Sequence, residues 1–150
     1  MKIAFGADHG GISLKAALVE YAKSQGHLVI DCGAFTEQAD DYPDYAALVA
    51  DEVIQQRADV GVLICRSGIG MSIAANKIPG IRAALAYSEE VARISRQHNH
   101  ANVVCFGADH LSPEQAKRFL TAWLETGWEG GRHQQRVNKI HQLEEKYCGL

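Results

Sequence analysis

Apolar residues fall along the chain in two rhythms. Short runs at Lys2–Gly6, Leu28–Gly33, Val60–Cys65, Arg82–Tyr87 and Asn102–Gly107 alternate with longer stretches whose apolar positions recur at helical spacing. Val60–Cys65 reads Val-Gly-Val-Leu-Ile-Cys, without polar alternation. Such a run suits a strand buried on both faces, as in a parallel sheet covered by helices. Gly11–Gln25 carries Ile12, Leu14, Leu18, Val19 and Ala22 at helical spacing, and Gly26 supplies a C-terminal stop. Tyr45–Arg57 follows the helix entry Pro43-Asp44. Ser88 caps a helix over Ser88–Gln97 whose first turn holds Glu89 and Glu90. Ser112-Pro113-Glu114 opens another, with Pro at the first helical position. A short helix is expected over Ser72–Lys77, and a last one from Gly130-Gly131 to about Tyr147. The strict β-α alternation predicts a single α/β domain over residues 1–150. Its expected architecture is a three-layer α/β/α sandwich, Rossmann-like, on a mainly parallel five-stranded sheet.

Composition narrows the function classes. With 47% hydrophobic and 22% charged residues the chain is globular, and it shows no linker, repeat or low-complexity segment. A net charge of −3 and a pI near 6.1 provide no broad positive field, so neither nucleic acid nor an anionic membrane surface is an expected partner. A small anion held by a few local cations fits. No stretch approaches the roughly 18 apolar residues of a spanning helix. Cys32, Cys65, Cys105 and Cys148 show no C-x-x-C spacing, and Met1–Gly6 runs into Asp8-His9 without a secretory apolar region. Free thiols and a cytoplasmic location are expected.

In parallel α/β sheets ligands sit outside the carboxyl ends of the strands. That rule selects Asp8–Gly11, Asp40–Tyr45 and Cys65–Ser72. In Cys65-Arg66-Ser67-Gly68-Ile69-Gly70-Met71-Ser72 a buried strand delivers a thiol to its end, and Gly68 and Gly70 let backbone N–H groups converge on an anion. This field is expected to favour a thiolate at Cys65. The spacing is neither G-x-G-x-x-G nor a Walker loop, and an ordinary strand-to-helix turn with a buried cysteine has the same residues. Asp8-His9 places a carboxylate beside an imidazole for acid/base work, although Asp also caps helices. One histidine of His98-Asn99-His100 offers a proton shuttle, or a side chain that satisfies a helix C-terminus. Arg132 and Arg136 share one helix face near its start, where the helix dipole opposes each cation by roughly 0.3–1 kcal/mol. Two guanidinium forks there form a phosphate or carboxylate clamp, or a solvated basic face. Seven histidines raise the question of a metal, but no H-x-x-x-H or H-E-x-x-H spacing occurs on an expected helix. Neither a metal nor a cofactor is expected.

Together, Gly6-Ala7-Asp8-His9-Gly10-Gly11, Asp41-Tyr42-Pro43, Cys65 with Gly68–Lys77, Arg96-Gln97-His98-Asn99 and Gly130–Arg136 resemble the B-type ribose-5-phosphate isomerases. That family extends to galactose-6-phosphate isomerase subunits and allose-6-phosphate isomerases. The resemblance runs through essentially the whole chain. It implies a homodimer or tetramer with shared active sites and metal-free aldose–ketose isomerisation through a cis-enediolate. By position, it implies Cys65 as the base between C1 and C2. Asp8 and His98 would open the sugar ring, assisted by Ser67 where the family usually has Thr. The amides of Gly68, Gly70, Met71 and Ser72 would stabilise the enediolate. His9, Arg132 and Arg136 would grip the phosphate, and Tyr42 and Asn99 would line the sugar site.

The chain departs from the family at two positions. Arg66 stands where Gly usually follows the cysteine, and Asp109 replaces an Arg two residues after Gly107. Arg66 or His110 is expected to compensate for the missing cation. Ribose 5-phosphate is the expected substrate, with allose 6-phosphate or galactose 6-phosphate as alternatives. A cysteine-nucleophile enzyme, a phosphosugar-binding module without catalysis and a redox sensor are the competing classes.

Overall fold

The computed structural model describes residues 1–149. Strands β1 (Lys2–Ala7), β2 (Leu28–Asp31), β3 (Val60–Cys65), β4 (Ala83–Leu85) and β5 (Val103–Gly107) form one sheet in the order β2-β1-β3-β5-β4. Every neighbouring pair is parallel. Helices α1 (Ile12–Ser24), α2 (Tyr42–Ile54), α3 (Ile69–Ala75), α4 (Glu89–Asn99), α5 (Pro113–Glu125) and α6 (Arg132–Cys148) complete the chain, with a 3₁₀ turn at His9–Gly11. The expected α/β/α sandwich is thus the observed one.

Side-chain alternation along the strands builds two cores. Ile3, Phe5, Val62, Ile64, Val104 and Phe106 face one side, where Leu14 and Leu18 of α1, Ala92 of α4 and Leu120 and Trp123 of α5 cover them. Ala4, Leu63, Val103 and Cys105 face the other, under Ala46, Val49 and Ala50 of α2 and Met71 and Ala75 of α3. All of β3 is buried, as its unbroken apolar run requires. Edge strands β2 and β4 are shorter than their apolar runs, although the Cys32 and Ala86 amides just beyond them still donate to the Phe5 and Cys105 carbonyls. The chain winds outward in opposite directions from β1 and β3, and a crevice opens between their carboxyl ends.

Two helices begin earlier than expected. Extended Asp41 leads into α2 at Tyr42, with Pro43 in its first turn, whereas the pattern pointed to Tyr45. Helix α3 starts at Ile69 instead of Ser72. Gly68, at φ +76°, reverses the chain within a single residue.

Apolar side chains remain exposed in several places, two of them on helices that carry candidate site residues. Tyr42, Leu48, Ile69 and Ile73 lie along α2 and α3, and Ile140, Leu143 and Tyr147 along α6. Helix α6 itself buries only His133 and Val137.

Trp123 is fully buried, and its Nε1 donates to the Ser95 hydroxyl at 3.1 Å. Trp123→Ala is expected to cost about 3–5 kcal/mol, through lost burial and a cavity. Urea unfolding measures this; a loss under about 1 kcal/mol contradicts the core described.

Candidate active site

The β1/β3 crevice holds the first group of candidate residues. Cys65 is the last residue of β3, is nearly buried, and pairs in register with Gly107. The Gly68 amide donates to its Sγ at 3.2 Å. A left-handed glycine makes this possible, because it folds the turn back onto the strand end. The Ile69 amide donates to Ser67 Oγ at 3.2 Å, and the Ser72 amide to the Gly68 carbonyl. The amides of Gly70 and Met71 have no acceptor among the described residues. Within the Gly68–Ser72 turn, Gly68 is engaged by the sulfur and Ser72 by the Gly68 carbonyl, so Gly70 and Met71 are amides left open. The Tyr42 ring lies against Gly70, where an added Cβ would meet it at 2.6 Å.

Asp8 and His9 sit on the β1 side of the crevice. The buried Asp8 carboxylate accepts from the Gly10 amide at 3.0 Å. Burial raises its pKa above the ordinary 3.8, only partly offset by that hydrogen bond and by His9. Asp40, whose role no sequence signal announced, positions His9. Its Oδ1 takes the His9 amide at 2.8 Å and lies 2.9 Å from Nδ1, while Tyr45 donates to Oδ2 at 2.7 Å. Burial opposes the Asp40 charge, but the His9 and Tyr45 hydrogen bonds outweigh it and hold the carboxyl below its usual range. With Nδ1 engaged, His9 keeps Nε2 for a ligand.

His98, Asn99, Arg132 and Arg136 lie at the other end of the sheet. The Asn99 and His100 carbonyls accept from Arg82 Nε, and the Asn102 side chain accepts from the Arg82 amide. These residues precede β4 and β5, whereas Cys65 and Gly107 end their strands. Asn102 to Gly107 alone spans about 16 Å at roughly 3.3 Å per residue. The His98 and His133 rings stack 4.1 Å apart, and Glu129 Oε2 lies 3.4 Å from His133 Nε2. His100 stacks on Trp128 at 4.8 Å. Burial, then His98 and Arg132, push the His133 pKa down. Among the described residues Arg132 and Arg136 form no ion pair, and both are exposed at the start of α6. The fold therefore gathers the predicted residues into two clusters and does not join them within one chain.

Two clusters bring three potential metal ligands within 4.8 Å, His98–Glu129–His133 and Asp8–His9–Asp40. In the first the imidazole planes are 13° from parallel, so a metal in the plane of one ring would lie off the plane of the other. In the second Nδ1 is already hydrogen-bonded to Asp40. The other core thiols offer no rival nucleophile: burial pushes Cys32 up to about 11 and Cys105 further. No helix among the described residues is long and apolar enough to cross a membrane.

A family model described as Ribose/Galactose Isomerase matches residues 3–140. The chain belongs to the ribose/galactose isomerase family. It is 47% identical over 145 residues to ribose-5-phosphate isomerase B of Escherichia coli (strain K12), covering 97% of each chain. The structure of Clostridium thermocellum ribose-5-phosphate isomerase B superposes with a TM-score of 0.97 at 44% identity, over 98% of this chain and 99% of the other. The Mycoplasma genitalium ribose-5-phosphate isomerase B, solved with bound ribulose-5-phosphate, has a TM-score of 0.92 at 39% identity, over 97% of both chains.

Within this isomerase fold Asp8 has a measurable signature. The folded protein holds its proton more tightly than the unfolded chain, so the group favours folding at acid pH. It costs stability as pH rises through 3.8 toward the higher folded value. Asp8→Asn is expected to raise Tm at pH 7, by roughly 2–4 °C per kcal/mol recovered. The gain narrows toward pH ~4. Equal melting of both proteins at pH 7 contradicts this.

Proposed function

We propose that this chain is a cytoplasmic ribose-5-phosphate isomerase, interconverting ribose 5-phosphate and ribulose 5-phosphate by proton transfer at Cys65. The observation that carries the reading is a thiol at a strand end with two unoccupied backbone amides beside it. Isomerisation needs a base next to a carbonyl and a preorganised oxyanion stabiliser, and this turn offers both.

In this reading Asp8, assisted by Ser67, and His98 open the sugar ring by moving a proton between the ring oxygen and the C1 hydroxyl. The Cys65 thiolate takes the C2 proton, and the charge moves onto O1 as a cis-enediolate facing the Gly70 and Met71 amides. The thiol returns the proton to C1, and the hydroxyl proton moves from O2 to O1. His9, Arg132 and Arg136 hold the phosphate, while Tyr42 and Asn99 border the sugar. Phosphate binding far from the reacting carbons supplies the energy that positions them.

The reading requires two copies of the chain. The Cys65 and His98 clusters lie at opposite ends of one sheet, so a homodimer completes each site when His98, Asn99, Arg132 and Arg136 come from the partner. The exposed apolar residues of α2, α3 and α6 support this pairing. So does a cleft of about 620 Å³ bordered by Ile81, Ile140, Leu143 and Tyr147.

Cys65→Ala is expected to reduce kcat by about 10²–10⁴-fold while the fold persists. Retained ligand affinity with no wild-type turnover to lose would instead favour a binding module. A coupled assay across five- and six-carbon aldose phosphates identifies the sugar. Arg136→Ala should mainly raise KM. For the shared site, Cys65→Ala and His98→Ala proteins unfolded together and refolded should recover activity that neither has alone. No recovery contradicts partner donation.

A further inference from the structure

One side chain bridges the loops that follow the three central strands. Arg66 directly follows Cys65, and its stem runs over the Gly10 backbone. A Cβ on Gly10 would lie 2.6 Å from Arg66 Cγ and 3.2 Å from Nε. On the other side Arg66 Nη1 lies 3.6 Å from Asp109 Oδ1, beyond β5. The Asp109 amide also donates to the Arg66 carbonyl at 2.9 Å. The guanidinium is therefore held across the mouth of the crevice, between the His9 turn and the β5 loop.

Energetics separate aiming from stabilising. The side chains of Arg66 and Asp109 are 65% and 51% exposed, and an ion pair so open to solvent contributes little to stability. One long contact leaves most of the five guanidinium N–H donors uncommitted. Charge supplies a second argument. Residues 8–11, 66–68 and 108–112 contain Asp8 and Asp109 but, besides Arg66, no lysine or arginine. Asp40 adds a further negative charge beside His9. Within one chain, Arg66 is the cation of these loops that offsets their carboxylates. His110 lines a neighbouring cavity with Leu85, Tyr87 and Leu111 and forms no ion pair among the described residues.

We propose that Arg66 is an anion-binding residue of this site, taking the phosphate of the sugar phosphate beside His9, with Asp109 and Gly10 holding its fork over the crevice. The proposal rests on the sugar-phosphate reading for the identity of the ligand. Its geometry is that of a planar donor fork, suited to bidentate contact with phosphate oxygens.

The test compares wild type, Arg66→Gln, Arg66→Ala and Arg66→Lys. Arg66→Gln keeps a stem over Gly10 while removing the charge. Losing a charge-assisted hydrogen bond should raise KM for ribose 5-phosphate, and Ki for inorganic phosphate, by about 10–100-fold, with a smaller fall in kcat. Arg66→Lys should fall between, because an ammonium cannot bind as a fork. Calorimetric titration with inorganic phosphate reads the same loss without turnover. If wild type turns over a different sugar phosphate, the substrate assignment fails while this titration still tests Arg66. Asp109→Ala should weaken phosphate binding in wild type, by releasing the Arg66 fork, and should not weaken it in the Arg66→Ala background. Phosphate affinity unchanged in folded Arg66→Gln and Arg66→Ala overturns the proposal, and an undiminished Asp109→Ala effect in the Arg66→Ala background overturns the positioning by Asp109.

Discussion

The site depends on one short contact, the Gly68 amide on the Cys65 sulfur. It exists because a fully buried strand stops at the edge of the core and the next turn reverses through a left-handed glycine. The buried strand fixes the thiol against a rigid wall, with Gly107 of β5 at the same level. The turn then aims backbone N–H groups at the space in front of it. A flexible loop could bring the same groups together, but would have to order them during each turnover. Here folding has already met that cost.

The crevice follows from topology. A parallel sheet that winds outward from β1 and β3 leaves a gap between the loops that follow them. Asp8, His9 and Cys65 fall into it because each comes just after, or at the end of, one of those strands. Asp40 arrives from the loop after β2, and its two carboxylate oxygens lock His9 and Tyr45 together. Small, strongly directional polar contacts thus orient side chains that the apolar core has only brought near one another.

The second cluster has the opposite polarity. Helix α4 runs back along the sheet, so its end delivers His98 to the starts of β4 and β5. There it stacks on His133, while α6 presents Arg132 and Arg136 without ion-pair partners among the described residues. Two unpaired guanidinium groups against the positive end of a helix are unfavourable alone. A neighbouring surface carrying an anion would relieve both that cost and the exposure of the apolar residues on α2, α3 and α6.

Local pattern alone carried much of this molecule. Strand β3 was legible because burial on both faces demands an unbroken apolar run, and the Ser112-Pro113 cap marked α5 because its chemistry is confined to four residues. Cys65 and Gly68–Met71 were legible as a turn for the same reason. The starts of α2 and α3 were not, since Tyr42 and Ile69 enter helices through backbone angles that no periodicity encodes. Asp40 was selected only by its place after β2, and its pairing with His9 had no signal because the two are 31 residues apart. The ion pair between Arg66 and Asp109 likewise joins two strand ends that only sheet order makes neighbours. The chain by itself determined which residues are candidates for chemistry and, to within a few positions, which elements hold them, because those depend on nearby side chains and backbone propensity. Which of them meet, and which stand a strand's length apart, was decided only by the tertiary structure, because distance in space is set by how strands are ordered and not by how residues are spaced.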